Sequence, residues 1–192
     1  VDRPRAPDDP TVLVLHGLAG DVHSPHVAGL LRALEGRGWR VGAFHFRGCG
    51  RRPNRTATAY HSGKTDDPRH VLRTLRARYP GPLAVVGFSL GANVTLKLLG
   101  EDAAGAPVDA AAAVSPPLVL AACADRMERG VSRLYQRNLL QRLDRYVRAR
   151  MDAQDDHPIG PETLRGVRTF RDFDDRVTAP LHGFADSADY YA

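Results

Sequence analysis

The segment Leu83-Ala-Val-Val-Gly87-Phe88-Ser89-Leu90-Gly91-Ala92-Asn93 holds the residues best arranged for chemistry. A short β-branched run leads into Gly-x-Ser-x-Gly and then into residues that suit a helix, the context a nucleophile elbow requires. A strand that turns at once into a helix forces its serine into a strained backbone conformation and lifts the hydroxyl clear of the sheet. Gly87 and Gly91 omit side chains that would collide across so tight a turn. A serine nucleophile attacks an acyl carbonyl, and the developing oxyanion then needs donors. The usual donors are the N–H after the serine, here Leu90, and one from an earlier strand-end loop, here Leu18. Leu18 follows His16-Gly17, and Gly17 lets that loop come close to the elbow. His16 reads as a residue orienting the loop rather than as the base, because a base must reach Ser89 from the other side. In a chain of this composition the motif is expected roughly 0.05 times by chance, which disfavours a passive Gly-rich turn.

The elements that must position these residues alternate. Thr11–Leu15 is a continuous apolar run that suits a strand buried on both faces. From Ser24-Pro25, Val27, Leu30, Leu31 and Leu34 recur at helical spacing, and Gly36 and Gly38 end the helix. Arg40–Phe46 reads as a strand, Arg47–Thr65 as an ordered loop over the carboxyl edge of the sheet, and Asp66–Tyr79 as a helix stopped by Pro80-Gly81-Pro82. Leu83–Val86 is a strand, Leu90–Gly100 a helix and Val108–Val114 a strand. This alternation predicts an α/β fold with a mostly parallel sheet and helices on both faces. After Pro117 the pattern becomes helical. Arg126–Arg150 places Met127, Val131, Leu134, Tyr135, Leu139, Leu143 and Tyr146 near one face with eight Arg around it. Residues 118–180 are expected to form a cap-like helical insertion within a single domain spanning 1–192. Its arginines read as a solvated basic face, or, more sharply, as attraction toward an anionic lipid surface or acidic substrate.

Composition narrows the classes. At 192 residues with 43% hydrophobic residues the chain can bury one core. The net charge of +5 rests on 27 basic residues, of which only Lys64 and Lys97 are Lys; no basic patch with stacking aromatics accompanies it, so nucleic-acid binding is not expected. Cys49 and Cys123 have no metal-ligand or disulfide spacing, which points to a reducing, cytoplasmic compartment without a metal site. The most apolar stretch, Val108–Ala124, is interrupted by Asp109 and Pro116-Pro117 and is too short to span a membrane.

Further segments carry a resemblance. His16-Gly-Leu-Ala-Gly20 with Ser24-Pro25, Phe46-Arg-Gly-Cys-Gly50, Pro53-Asn54-Arg55, Tyr60-His-Ser-Gly63 with Thr65-Asp66-Asp67, and the elbow itself resemble the YheT-like α/β-hydrolases. Val114-Ser-Pro-Pro117, Ser132-Arg-Leu-Tyr-Gln-Arg137, Thr169-Phe-Arg-Asp-Phe-Asp-Asp175 and His182-Gly-Phe-Ala-Asp186 to Tyr190-Tyr191 continue it in order. The resemblance implies a cytoplasmic or membrane-peripheral serine esterase related to animal ABHD-type lipid hydrolases. It implies the α/β-hydrolase fold, a Ser-Asp-His triad, an ester or lipid-like substrate and no cofactor. Only the serine carries over, onto Ser89. In the family the Asp and His follow the Asp-Tyr-Tyr segment, so the expectation is a domain lacking its last strands, its triad completed beyond Ala192 and its activity poor in isolation. Two departures from the family stand out: Lys64 replaces an acidic residue, and Ala92 a glycine.

Among residues present, Ser89 with Asp172, Asp174 or Asp175 and His182 meets the hydrolase order formally, but none of these follows a strand that would aim it. His157 is weaker still, and His61 reads as a loop residue. Two other classes remain. A non-catalytic hydrolase-like module would bind acyl ligands without covalent chemistry. A dinucleotide-binding oxidoreductase is disfavoured, because Gly48-Cys-Gly50 lacks the third glycine and a following helix. A dehalogenase would need a carboxylate where Ser89 stands. Substrate chain length and oligomeric state are not legible.

Overall fold

The structure is a computed structural model that describes residues 6–50, 54, 58–152 and 158–192. His157, Pro53 and Arg55 lie outside the described residues. The chain divides into two compact units: the described residues of Val1–Phe46 and Ser62–Pro117 form one, and those of Arg47–His61 and Leu118–Ala192 the other.

The first unit is built in the order β1 (Thr11–Leu15), α1 (Pro25–Glu35), β2 (Arg40–Phe44), α2 (Asp66–Arg78), β3 (Leu83–Phe88), α3 (Leu90–Asp102) and β4 (Ala110–Val114). All strand pairs are parallel, in the order β2-β1-β3-β4. Thr11 lies opposite both Arg40 and Leu83, so β1 is central and all five of its residues are buried. Successive side chains on β1 point to opposite faces. Val12 and Val14 pack with Val27, and Leu30, Leu31 and Leu34 of α1 close over them together with Trp39 and Val86. Leu13 and Leu15 therefore serve the other face, where α3 packs on β1, β3 and β4. Helices on both faces of a parallel sheet match the expected α/β fold.

The strand limits differ from the sequence reading in three places. β2 ends at Phe44 rather than Phe46. β3 runs two residues past Val86, so that Gly87 and Phe88 belong to the strand. β4 starts at Ala110, after Asp109, whose exposed carboxylate accepts the Leu83 N–H at 2.8 Å and pairs with Arg76. Ala110–Val114 is largely exposed along the edge of the sheet. Lys64 pairs with Asp66 at 2.9 Å in the first turn of α2. Arg69 joins that turn to Asp102 and Glu101 at the end of α3, and Thr65 Oγ1 donates to Glu101 at 2.6 Å. These donors and Lys97, whose hydrogen bond to Glu101 has the largest effect, hold the Glu101 carboxyl down to about 2.

The second unit is helical, with α4 (Leu120–Met127), α5 (Ser132–Met151), and the short α6 (Phe170–Phe173), α7 (Ala179–His182) and α8 (Ser187–Tyr191). The helical stretch Arg126–Arg150 is divided: Gly130, at φ +53, turns the chain between α4 and α5. Its expected apolar face is also displaced. Val131, Leu134 and Tyr135 are exposed, and the buried stripe is Gln136, Leu140, Leu143, Val147 and Arg150. Steps of four and three make that stripe one continuous helical face. Its polar ends are used: Gln136 Oε1 accepts the Phe170 N–H, and Arg150 donates to Tyr146 Oη, which itself donates to the Arg47 carbonyl. Tyr146 fills the space beside Gly48, where a Cβ would come within 2.9 Å of its ring.

Leu15 is fully buried at the centre of the sheet. Leu15→Ala is expected to cost about 2–5 kcal/mol, measured as a lower urea midpoint at unchanged m-value. An unchanged midpoint would show that β1 does not anchor the core.

Candidate active site

A parallel sheet offers its ligand crevice at the carboxyl ends of the strands where the order reverses. From β1 the chain crosses to β2 on one side, and from β3 to β4 on the other, so the reversal lies between β1 and β3. Ser89 directly follows β3, and His16-Gly17 directly follows β1.

Ser89 has φ +51 and ψ −118, a conformation that L-residues rarely adopt. Its N–H donates to the Val114 carbonyl at 2.9 Å, and its own carbonyl accepts from Ala92 and Asn93 at 2.9 and 3.1 Å. The side chain makes no capping hydrogen bond to α3, so the hydroxyl is not consumed by the turn. Space dictates the neighbours. A Cβ on Gly87 would collide with the Gly91 carbonyl, and one on Gly91 would lie 2.5 Å from the His16 carbonyl oxygen. A Cβ on Gly17 would stand 3.2 Å from Ser89 Cβ, so the β1 loop runs directly against the serine. Among the described residues, neither the Leu18 nor the Leu90 N–H has a hydrogen-bond partner. The first turn of α3 is buttressed by Thr95, whose buried hydroxyl donates back to the Gly91 carbonyl at 2.8 Å. Ala92 is fully buried in the same turn.

His16 is buried, with Nδ1 2.7 Å from the Gly17 carbonyl and Nε2 3.3 Å from the Phe46 N–H. A carbonyl can only accept and an N–H can only donate, so the ring is neutral with its proton on Nδ1. Burial pulls its pKa down to about 4, against the weaker upward pull of the Gly17 carbonyl. Both nitrogens are thus committed to the backbone on either side of the loop. His45, which the sequence did not single out, fixes the same region by accepting the Val22 N–H at 3.1 Å, its ring 6.0 Å from that of His16. Ser115 at φ +52 is a second strained residue, at the end of β4. Nothing in its Ser-Pro-Pro context gives a signal for it.

The acids and histidine that complete the hydrolase order formally belong to the second unit, whereas Ser89 belongs to the first. Asp172 closes a capping box with Thr169. Asp174 accepts from the Thr178 and Tyr191 hydroxyls, both at 2.6 Å, and burial pushes its carboxyl up to about 6. Asp175 accepts the Ser187 N–H at 2.7 Å. His182 packs against His61, the ring centroids 4.6 Å apart and the planes inclined by 60°. Each has a local structural partner. Among the described residues no group of three His, Cys, Asp or Glu is placed to hold a metal ion, and no helix is long and apolar enough to cross a membrane.

Residues 10–149 match the alpha/beta hydrolase fold family. The chain is 44% identical over 189 residues to the Escherichia coli (strain K12) protein named "Putative esterase YheT", covering 97% of this chain and 56% of that protein. It is 30% identical to a monoacylglycerol lipase of Saccharomyces cerevisiae, covering 95% of this chain and 42% of the lipase. It is 29% identical to mouse phospholipase ABHD3, covering 95% and 44%. Two of these relatives carry the YheT and ABHD names of the group that the sequence resembles, and the chain spans about half the length of the three. Among solved structures, an esterase of Pyrococcus furiosus superposes with a TM-score of 0.52 at 27% identity, covering 63% of this chain and 48% of that one.

A folded His16 that resists protonation makes acid destabilising: the unfolded chain takes a proton near pH 6.5 that the folded chain refuses until about pH 4. This contribution is complete above pH 6.5 and is lost as pH falls toward 4. Asp174, raised instead of lowered, titrates with the opposite sign, so the test compares variants. Between pH 7 and 5 the wild type is expected to lose about 2 kcal/mol more than His16→Gln in urea unfolding. Parallel losses would remove His16 from the neutral, buried role.

Proposed function

Because the chain belongs to the alpha/beta hydrolase fold family, we propose that Ser89 is the nucleophile of a carboxylic ester hydrolase. The observation that carries this reading is the backbone of Ser89 itself, left-handed at the β1/β3 switch point with its hydroxyl uncommitted. In the proposed sequence, Ser89 Oγ attacks an ester carbonyl carbon while a histidine base takes its proton. The Leu18 and Leu90 N–H groups bind the tetrahedral oxyanion, and the positive end of α3 adds to that stabilisation. Collapse expels the alcohol, which receives the proton, and leaves an acyl-serine that water hydrolyses by the same steps in reverse. Gly87, Gly91 and Gly17 give the turn its room, and His16 orients the β1 loop rather than moving the proton.

The base and its orienting carboxylate are assigned to sequence following the Asp-Tyr-Tyr segment, as the family resemblance implies. Without them a triad enzyme retains only its oxyanion and binding contributions, so the 192 residues alone are expected to turn over esters poorly. Residues 118–180 are read as a cap-like helical insertion. The substrate class is read as short-chain or lipid-like acyl esters; the names of the relatives, an esterase, a monoacylglycerol lipase and a phospholipase, support an ester or lipid substrate. A cytoplasmic or membrane-peripheral setting fits Cys49 and Cys123, which form no disulfide among the described residues.

Ser89→Ala in the full-length protein is expected to abolish fluorophosphonate labelling and to lower kcat for a p-nitrophenyl acyl ester by about 10³-fold or more. Labelling that persists in the variant would move the nucleophile elsewhere. An unlabelled wild type that still binds fatty acids would instead support a non-catalytic acyl-binding module.

A further inference from the structure

The α4–α5 corner of the second unit exposes apolar and basic groups together. Val131 is 81% exposed, Leu134 71% and Tyr135 61%. They stand at i, i+3 and i+4 across the first turn of α5, so they form one surface stripe. Arg129, Arg133 and Arg137 are exposed beside them, and among the described residues none has a carboxylate partner. Elsewhere in the unit Arg148 pairs with Asp144 at 2.8 Å and Arg171 with Asp125 at 2.8 Å. At this corner three arginines without a carboxylate partner among the described residues stand beside three bare apolar side chains. Glu128 is the only acidic residue from Arg126 to Arg137.

We propose that this corner is a docking surface for an anionic phospholipid bilayer. Exposed aliphatic side chains gain by leaving water for the acyl boundary, and guanidinium groups gain from lipid phosphates at the depth of the headgroups. A nucleic acid or other soluble polyanion would satisfy the arginines but leave Val131 and Leu134 in water. Charge complementarity with apolar side chains at its centre selects the bilayer. Gly130, at φ +53, makes the corner by turning the chain sharply between the two helices. The inference does not depend on Ser89 acting as a nucleophile.

The test is cosedimentation of the full-length protein with vesicles of phosphatidylcholine alone or with about 30% phosphatidylglycerol. Partition into the anionic vesicles is expected to exceed that into neutral ones by about tenfold or more, and to fall in about 0.5 M salt. The double variant Val131→Ser/Leu134→Ser is expected to lose about tenfold of that partition, and Arg133→Gln/Arg137→Gln a similar factor. Both pairs are exposed, so the melting curves should stay unchanged, and the wild-type comparison of the two vesicles needs no variant. Ser89→Ala should partition as the wild type does, which separates this outcome from failure of the esterase reading. Equal partition into both vesicles, or heparin binding that competes fully while the Val131/Leu134 variant partitions normally, would overturn the proposal.

Discussion

A left-handed backbone at a residue with a Cβ costs on the order of 1–3 kcal/mol and persists only where its surroundings leave no alternative. At Ser89 those surroundings are backbone groups. The Val114 carbonyl holds its N–H from the far strand, and Ala92 and Asn93 hold its carbonyl from the helix. The rest of the first unit can be derived from keeping these groups in place. β3 must lie between β1 and β4, α3 must start at once, and small residues must stand wherever the turn touches β1. Gly91 against the His16 carbonyl leaves no room for a side chain, and at Gly17 a Cβ would press on Ser89 at 3.2 Å.

The electrostatics follow the same economy. The first turn of α3 brings unsatisfied N–H groups and the positive end of a helix dipole to the serine. A charged imidazolium is kept out of the supporting layer, because His16 is buried between an acceptor and a donor that fix one neutral tautomer. A fixed neutral ring holds the β1 loop by geometry alone and adds no field of its own that would change with pH. Asp174 in the second unit is the contrasting case: burial raises it, and two hydroxyls turn their protons toward it. Such a carboxyl, tied to Thr178 and Tyr191, is occupied in holding α7 and α8 together.

What could be read from the sequence was what depends on local pattern. The β1 run, the Ser24-Pro25 start of α1 and the Gly-x-Ser-x-Gly turn between strand and helix are contiguous signals, and each lies where it was expected. The β4 start was misjudged because Val108 is apolar, whereas the strand starts after Asp109, whose carboxylate reaches Leu83, a contact across 26 residues. The α5 face was misjudged for a related reason. Counting apolar residues favoured Val131, Leu134 and Tyr135, but the buried stripe includes Gln136 and Arg150, polar residues whose groups are satisfied by Phe170 and Tyr146. Burial of a polar side chain depends on a partner supplied by tertiary structure, and that partner is invisible in a helical period. Ser115 escaped notice on the same ground, since positive φ at a non-glycine residue leaves no compositional trace.

The arginine excess shows how composition and position part company. A chain with 27 basic residues, nearly all Arg, could spread its charge evenly and stay soluble. Instead the arginines take distinct roles according to what faces them. Arg69 and Arg76 tie helices to carboxylates at the ends of strands and helices. Arg40 sits over the Tyr79 ring, its Cζ 3.7 Å from the centroid. Arg148 and Arg171 are neutralised on helix surfaces, where exposed pairs add little stability but do remove net charge. At the α4–α5 corner the charge of Arg129, Arg133 and Arg137 is left without a carboxylate partner among the described residues. Its coincidence with Val131 and Leu134 is the part that solubility alone does not explain, because a surface serving only solubility would put polar side chains there.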